Sequence, residues 1–179
     1  MSEDSREYYA ISKDFNLDEA WNRYDLVNGT TKVYWIRDNV LLPIYRELVT
    51  GDARNHIPFT YRAMKNLIDS FGKTNKEIAQ DIDSFVGLYD RRNTKFYGYY
   101  SDYDWVVFCW LFGRMIDLPK CFPMYCIDLK QELDRKANTF MPLDDLKKMK
   151  DYPKQVNEHN ALADARWNRD LYDFIELIS

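Results

Sequence analysis

Apolar side chains recur at helical intervals near the end of the chain and predict a closing helix over residues 159–178. The apolar stripe of this helix consists of Trp167, Leu171, Phe174 and Ile178. A second clear helix is predicted over residues 74–89, because Thr74 and Glu77 have the spacing of a capping box and are followed by periodic apolar positions. The pattern therefore places one amphipathic helix before the middle of the chain and another at its end.

Shorter patterns predict the remaining elements. Helices are predicted over residues 32–49, with Pro43 as a break, over residues 102–112 with Gly113 as the stop, and in the KQELDR stretch at 130–135. Aromatic and apolar runs predict strands over residues 7–12, 95–100 and 124–129, and residues 136–157 read as a long polar loop with one or two helical turns. Strands that alternate with helices indicate an α/β layered fold, and no linker or repeat divides residues 1–179, which favours a single domain.

Composition excludes several classes of protein. The chain has 179 residues, of which 46% are hydrophobic and 30% charged, as in a folded globular protein. Its longest apolar run, residues 105–112, is too short to cross a bilayer, so no membrane association is expected. Three cysteines and no signal-peptide pattern favour the reducing cytoplasm. A net charge of −4 argues against a protein that grips a long duplex but permits an enzyme that touches only a strand end.

Two aspartates extend the apolar faces of predicted helices. Asp164 lies three residues before Trp167, and Asp104 shares a predicted face with Phe108 or Val107 and with Leu111. A carboxylate removed from water is costly unless it is paired or bound to a metal. One interpretation is a helix-dipole effect, which suits Asp104 in a first turn better than Asp164. The other is that both acids converge on Mg²⁺ or Mn²⁺, which prefer carboxylate oxygens.

Two other features leave alternatives open. His159 lies five residues before Asp164 and is either a solvated loop residue or a general base beside a metal-bound phosphate. His56 has no comparable acidic neighbourhood and is interpreted as structural. Four tyrosines could stack on bases but are more typical of core or sheet positions, and they are Tyr97, Tyr99, Tyr100 and Tyr103.

These residues resemble a known family. HNALADARWNRDLYDFI, at 159–175, resembles the third motif of DEDDh-type 3′–5′ exonucleases of the RNase T-like superfamily. YYSDYDWVVFCWLFGRMIDLP, at 99–119, resembles the second motif of the small bacterial and phage 3′–5′ exoribonucleases, and residues 6–16 are similar to an early strand of those proteins. The resemblance implies an RNase H-like mixed sheet flanked by helices. It also implies two bound Mg²⁺ or Mn²⁺ ions, with Asp104 and Asp164 as metal ligands and His159 as the general base. Asp102 competes for the first role, but both the helical face and the motif favour Asp104.

The first motif of that family has no counterpart here. The resemblance implies an Asp-x-Glu on the first strand, and no such pattern occurs before Tyr8. The expectation is therefore an N-terminally truncated exonuclease-like domain that lacks the first strand and most of the second, with a shortened or split relative as the rival explanation. Because two of four metal carboxylates would be missing, little or no exonuclease activity is expected from the chain as written.

Two functions follow as hypotheses. The first is a 3′–5′ exoribonuclease or exonuclease that hydrolyses phosphodiester bonds in single-stranded RNA or at 3′ overhangs. The alternative is a catalytically deficient nuclease-fold module that binds nucleic acid ends or a protein partner. A third hypothesis, in which the acids only cap helices, is disfavoured by the joint occurrence of YDWV and HNALADA. Enzymes of the superfamily are often dimers, so the resemblance also implies a homodimer, although no pattern in the sequence identifies its face.

Overall fold

The chain divides into two compact units in a computed structural model that describes residues 1–2, 5–49, 57–87 and 94–178. One unit is the continuous stretch Ala10–Asn75. The other joins Met1–Tyr9 to Lys76–Ser179 and carries every predicted site residue. His56 lies outside the described residues, as does the end of the helix predicted over 74–89.

Helices dominate the unit Ala10–Asn75. Its elements are α1 (Leu17–Asn22), β1 (Asp25–Val27), β2 (Thr31–Val33), a π-helical turn (Arg37–Leu41), α2 (Leu42–Val49) and α3 (Tyr61–Phe71). A buried cluster of Leu41, Tyr45, Met64, Leu67 and Ile68 forms its core. The unit is therefore a small helical body with one attached hairpin.

The second unit contains the longer helices and a short parallel sheet. Its elements are α4 (Asn75–Gly87), β3 (Tyr97–Gly98), α5 (Asp102–Leu111), a 3₁₀ turn (Met115–Asp117), β4 (Ile127–Asp128), α6 (Leu129–Phe140), α7 (Leu143–Leu146) and α8 (Ala161–Leu177). Together the two units form a mixed α/β protein, as predicted. The RNase H-like arrangement of the sheet stays a prediction.

The hairpin Asp25–Val33 corrects the predicted start of the helix over 32–49. β1 and β2 pair antiparallel, with Asp25 opposite Val33 and Val27 opposite Thr31. Asn28 and Gly29 adopt positive φ angles of 54° and 72°, which is the backbone that a tight hairpin turn requires. Strand pairing therefore removes residues 32 and 33 from the predicted helix.

Pro43 marks a change of helix type, in agreement with the predicted break. The backbone runs as a wider π-helical turn through Arg37–Leu41 and continues as α2 from Leu42. Proline has no N–H to donate, and its ring clashes with the carbonyl group four residues earlier in a regular helix. The wider turn before Pro43 accommodates both effects.

The strand predicted over residues 7–12 is not formed. Only Ser12 makes a bridge, parallel to Lys73. Earlier in the segment, side chains provide the attachment: Tyr8 Oη donates a 2.9 Å hydrogen bond to Asp81, and Arg6 donates to the carbonyl oxygen of Phe85 at 3.0 Å. Alternating aromatic residues here pack against a helix rather than a sheet, because no strand of the described chain runs beside them.

A two-stranded parallel sheet and α8 organise the second unit. β3 and β4 pair with Tyr97 opposite Ile127 and Gly98 opposite Asp128, so both strands are shorter than predicted. The apolar stripe of α8 is confirmed, since Trp167, Leu171 and Phe174 are buried. The core around this helix consists of Leu129, Leu133, Leu146, Trp167, Leu171, Phe174 and Ile175. Among the described residues, no helix has the length and hydropathy that a membrane crossing would need.

Candidate functional site

Asp164 lies in the first turns of α8 and is held by a neighbouring loop. Asn160 caps the helix, and its side-chain oxygen accepts hydrogen bonds from the backbone N–H groups of Leu162 (3.2 Å) and Ala163 (3.0 Å). Gln155 donates from Nε2 to Oδ1 of the half-buried Asp164 at 3.0 Å. The carboxylate is therefore fixed through one oxygen by a neutral donor.

Asp104 lies in the first turn of α5 and is exposed, which corrects the predicted inward orientation. The face of α5 that packs inward consists of Trp105, Phe108, Cys109 and Phe112 rather than of Asp104, Val107 or Phe108, and Leu111. Because α5 is apolar on nearly every side, its periodicity does not identify the buried face. Asp104 therefore flanks the buried face instead of beginning it.

The two acids influence each other electrostatically. The pKa of Asp104 is raised above its ordinary value, first because the surrounding atoms desolvate its carboxyl group and second because the charge of Asp164 disfavours its ionised form. Two helices that begin more than fifty residues apart in the chain thus bring their first-turn carboxylates into one electrostatic neighbourhood. A bound cation would relieve this repulsion.

Asp128 fixes the start of α5 relative to the sheet. Its Oδ1 caps α6 by accepting from the backbone N–H groups of Lys130 (2.7 Å) and Gln131 (3.2 Å). Its Oδ2 accepts from the backbone N–H of Ser101 at 3.0 Å, and Ser101 is buried. One carboxylate therefore ties the end of β4, the cap of α6 and the residue before α5 together.

Close packing between Gly98 and Ser101, the residue before α5, leaves no room for a side chain at position 98. A Cβ atom built on Gly98 would lie 2.8 Å from Cβ of Ser101. Separations below 3.0 Å are not seen for real Cβ atoms, so any larger residue would displace the turn that leads into α5. The position of Asp104 thus depends on both Gly98 and Asp128.

The pKa of the Cys126 thiol indicates that further acidic residues lie nearby. Its pKa is raised, mainly by desolvation, and the charges of Asp128, Asp104 and Asp102 contribute in the same direction, whereas a hydrogen bond with Ser101 opposes them. The region is therefore rich in negative charge. Even so, no three His, Cys, Asp or Glu side chains of the described residues are grouped closely enough to form a metal cage.

The pair Asp104 and Asp164 fits a hydrated cation better than a closed metal site. Mg²⁺ usually keeps several water ligands and binds through one or two carboxylates together with substrate phosphates. Two mutually repelling carboxylates provide that number of ligands. The chemistry of the donors thus suits Mg²⁺ or Mn²⁺, with weak binding in the absence of a phosphate.

His159 is an exposed residue in the turn that precedes α8. Its φ angle is +70°, a left-handed conformation that is uncommon for residues other than glycine and in which Asn, Asp and His are enriched. Asn157, two residues earlier, has a φ of +58°. The turn before the Asn160 cap therefore determines where the His159 backbone lies relative to α8.

Two residues that hold the candidate site in place were missed by the sequence analysis. Asp128 had a readable signal, because an Asp followed three residues later by Gln131 is typical of a helix N-terminus. Gln155 had none, since a lone Gln in a polar loop gives no indication of its partner. The four tyrosines that were considered as base-stacking residues differ in their exposure. Tyr97 and Tyr99 pack on the core, whereas Tyr100 and Tyr103 are exposed.

Comparison with known proteins identifies the family to which this chain belongs. Residues 60–176 match the model of the Rv2179c-like 3′–5′ exoribonuclease domain, a range that includes Asp104, His159 and Asp164. Two similar proteins come from Mycobacterium tuberculosis: 3′–5′ exoribonuclease Rv2179c of strain H37Rv and 3′–5′ exoribonuclease MT2234.1 of strain CDC 1551. Each is 23% identical to this chain over 166 residues, which is 93% of this chain and 74% of the relative. The predicted exoribonuclease family is thereby confirmed, while its wider DEDDh placement stays a prediction.

Proposed function

The chain belongs to the Rv2179c-like 3′–5′ exoribonuclease family, and from that premise we propose that it hydrolyses RNA from 3′ ends with a divalent cation held by Asp104 and Asp164. The observation that supports the site is the electrostatic coupling of these two carboxylates, which come from separate helices. Both lie in the stretches that resemble exonuclease motifs. Family membership and the electrostatic influence of Asp164 on Asp104 therefore both support this site.

Each residue of the proposed site has a distinct role. Asp104 and Asp164 bind the cation, and Gln155 holds Asp164 in place through its 3.0 Å hydrogen bond. Bound Mg²⁺ or Mn²⁺ would neutralise phosphate charge and lower the pKa of water. His159 accepts the proton of the attacking water, a general-base role that histidine often takes in enzymes. Its exposure allows contact with a strand end that enters from solvent.

The substrate is proposed to be single-stranded RNA or the 3′ overhang of a duplex. A net charge of −4 gives little general attraction for a phosphate backbone. Affinity would then be concentrated at the terminal nucleotide, where the cation meets the scissile phosphate. Because two carboxylates hold a hard cation weakly, we expect hydrolysis by this chain to be slow and to need millimolar Mn²⁺ or Mg²⁺.

The test is release of labelled mononucleotides from an RNA that carries its label in the 3′-terminal nucleotides of a single-stranded 3′ tail, over long incubation with and without Mn²⁺. Asp164→Asn should abolish the release, because it removes a charge while nearly preserving shape. Asp170→Asn, on the exposed side of the same helix, is the matched control and should cut as the parent does. Equal cleavage by parent and Asp164→Asn would reject the site.

His159 is tested separately from the metal ligands. His159→Asn removes the imidazole but tolerates the left-handed backbone at this position, which His159→Ala would strain. We expect cleavage to slow by about 10²–10⁴-fold while Mn²⁺ binding, followed by calorimetry, stays unchanged. A loss of Mn²⁺ binding in this variant would assign His159 to the metal site instead.

One observation favours the second candidate function, a catalytically deficient module that binds nucleic acid ends or a protein partner. The described residues contain no group of three or more potential metal ligands. Under this alternative the chain binds 3′-tailed RNA without releasing nucleotides at any Mn²⁺ concentration. The same labelled RNA, followed by both gel shift and product release, distinguishes the two functions.

A further inference from the structure

The hairpin of the unit Ala10–Asn75 is exposed to solvent and has two chemically different faces. All residues of β1 and the first two residues of β2 are exposed. Leu26 lies opposite Lys32, and residues that lie opposite each other in an antiparallel pair share one face. Asp25 and Val33, one position further along each strand, share the other face. The acid of the hairpin therefore lies on the face that does not carry Lys32.

Two tyrosines that flank the strands extend the face of Leu26 and Lys32. The rings of Tyr24 and Tyr34 lie 5.9 Å apart and meet at an angle of 58°. Lys32 Nζ lies 4.0 Å from the centroid of the Tyr24 ring, and the guanidinium carbon of Arg37 lies 3.9 Å from that of Tyr34. We call Tyr24, Leu26, Lys32, Tyr34 and Arg37 the hairpin aromatic face. Its side chains follow one another as a cation, two rings and a second cation, with an aliphatic residue beside them.

One end of the hairpin aromatic face is anchored on the core of its unit, and the other end is open. The Arg37 guanidinium lies 5.8 Å from the ring of Trp21, which packs against the buried cluster. Tyr34 is half-buried, whereas Tyr24 is 43% and Leu26 is 54% exposed. The open end therefore presents a positioned aromatic ring and an aliphatic side chain to solvent.

The charges of the hairpin aromatic face favour an anionic ligand. Both of its charged residues, Lys32 and Arg37, are cations. Arg37 Nε donates a 3.0 Å hydrogen bond to Asp38, which uses one of the five N–H donors of a guanidinium. Among the described residues, Lys32 has the Tyr24 ring as its contact and forms no ion pair with a carboxylate. The ammonium group is therefore available to an anion that approaches from solvent.

The unit that carries this face also has the more favourable net charge. Of the 25 Lys and Arg residues of the chain, nine lie in Ala10–Asn75, and of the 29 Asp and Glu residues eight lie there. The excess of negative charge thus belongs to the unit that carries Asp104 and Asp164. A phosphate backbone meets less repulsion at the unit with the hairpin.

We propose that the hairpin aromatic face binds single-stranded RNA, with a base stacked on Tyr24 and phosphates held by Lys32 and Arg37. Every base has a π face, so stacking of this kind requires no particular sequence. A stacked base is held more strongly than an exposed ammonium group over the same ring, so Lys32 leaves Tyr24 for a phosphate when the strand binds. The choice of RNA over DNA rests on the proposed function, since none of these contacts recognises a 2′-hydroxyl group.

The first experiment measures binding of a circular single-stranded RNA of uridines, in EDTA, by fluorescence anisotropy. A circle has no 3′ end and EDTA removes divalent cations, so neither cleavage nor recognition of an end contributes. Tyr24→Leu should weaken binding by about 5–100-fold, because it removes the stacking ring and keeps an apolar side chain. Phe71→Leu, at an exposed aromatic residue at the end of α3, is the matched control and should bind as the parent does. A parent that does not bind the circle, or equal binding by parent and Tyr24→Leu, would overturn the proposal.

Tyr24→Phe separates stacking from a structural role of the hydroxyl group. This variant keeps the ring, so it should bind the circle as tightly as the parent does. A loss in Tyr24→Phe as large as the loss in Tyr24→Leu would reject stacking as the source of affinity.

A variant of Lys32 provides a test that does not depend on Tyr24. Lys32→Gln should make the slope of log affinity against log salt concentration shallower by about 0.7, the contribution of one phosphate contact in a single strand. Lys65→Gln removes the same charge from α3, where Lys65 lies 2.8 Å from Asp69, and should leave the slope unchanged. An unchanged slope in Lys32→Gln would reject the phosphate contact.

Two further comparisons separate this proposal from its alternatives. A blunt RNA duplex should compete poorly with the circle, because its bases stay stacked on one another, and equal competition would mean that charge alone holds the strand. A parent that binds the circle but releases no nucleotides from linear RNA with Mn²⁺ would reject the nuclease activity and support the hairpin aromatic face. A parent that cuts linear RNA but does not bind the circle would reject the hairpin aromatic face alone.

Discussion

Gln155 donates a 3.0 Å hydrogen bond to Oδ1 of Asp164 and thereby links the loop before α8 to the proposed metal ligand. The bond leaves Oδ2 of the carboxylate available for a cation. It also limits rotation of the side chain, since a partner on one oxygen fixes the carboxylate plane. Residues that hold a ligand in this way often contribute strongly to metal affinity without touching the metal.

Replacement of Gln155 should weaken Mn²⁺ binding more than it weakens folding. Gln155→Leu removes the donor, so we expect Mn²⁺ affinity, measured by calorimetry, to fall by about 10-fold or more. The free energy of unfolding should change by no more than ~0.5 kcal/mol, because the position is exposed. Gln80→Leu, on the exposed face of α4, is the control and should alter neither quantity. Unchanged Mn²⁺ affinity in Gln155→Leu would show that the hydrogen bond does not position a ligand.

Loss of the Asp128 carboxylate should destabilise the second unit. Asp128→Ala removes the cap of α6, worth about 0.5–2 kcal/mol, and leaves the buried N–H of Ser101 without its acceptor, worth about 1–3 kcal/mol. We expect a total loss of about 1.5–5 kcal/mol in urea unfolding. Asp128→Asn should lose less, because its amide oxygen can still cap the helix. Equal losses in both variants would mean that the cap of α6 contributes nothing.

Tyr8 should make the stability of the protein sensitive to alkali. Desolvation and the hydrogen bond to Asp81 raise the pKa of Tyr8 from 10.0 to about 12. The folded state therefore keeps a proton that the unfolded chain releases, so the contribution of Tyr8 is complete below pH 10 and is lost as the pH rises toward 12. Denaturant unfolding should show the parent more stable than Tyr8→Phe at pH 8, with the difference shrinking between pH 10 and 12. A difference that stays constant over that range contradicts the linkage.

The ion pair between Glu7 and Arg166 should make the stability of the protein sensitive to acid, whereas Tyr8 makes it sensitive to alkali. Arg166 donates two hydrogen bonds to the Glu7 carboxylate, of 2.6 and 2.7 Å, and these bonds lower the pKa of Glu7 below 4.5. The stabilisation is present above pH 4.5 and disappears as the pH falls through the lowered value. Glu7→Gln should therefore reduce thermal stability at pH 7, this reduction should shrink as the pH falls below 4.5, and 1 M salt should reduce the difference at pH 7. Glu176→Gln, an exposed substitution on α8, is the matched control.

The sequence predicted best where local signals and burial agree. In α8, the capping residue Asn160 and the apolar stripe through Trp167 and Leu171 act together, and the helix begins within two residues of its predicted start. The hairpin was missed although Asn28 and Gly29 form one of the strongest turn signals, because the apolar residues that follow were assigned to a helix. The turn at Asn28 and Gly29 determines the structure of this segment, because it reverses the chain and brings residues 31–33 beside β1.

The site could be predicted only in part. The identity of Asp104 and Asp164 followed from motif resemblance, but the face argument for Asp104 failed because α5 is apolar all round. The hydrogen bond from Gln155 depends on how the loop folds back on α8, and no periodicity encodes a contact of that kind. The strand expected over residues 7–12 failed for a related reason, because a strand is defined by its partner and not by its own residues.

The division of the chain between its two units sets the order in which they can form during translation. Ala10–Asn75 is continuous, so its core is complete once residue 75 has been synthesised. Ser2 and Glu7 instead find their partners Arg169 and Arg166 in the last helix, 167 and 159 residues later. At about 5–20 residues per second, the first segment waits roughly 10–30 s for those arginines. The unit that carries Asp104 and Asp164 therefore closes only after α8 has been synthesised, when its neighbour has already had time to fold.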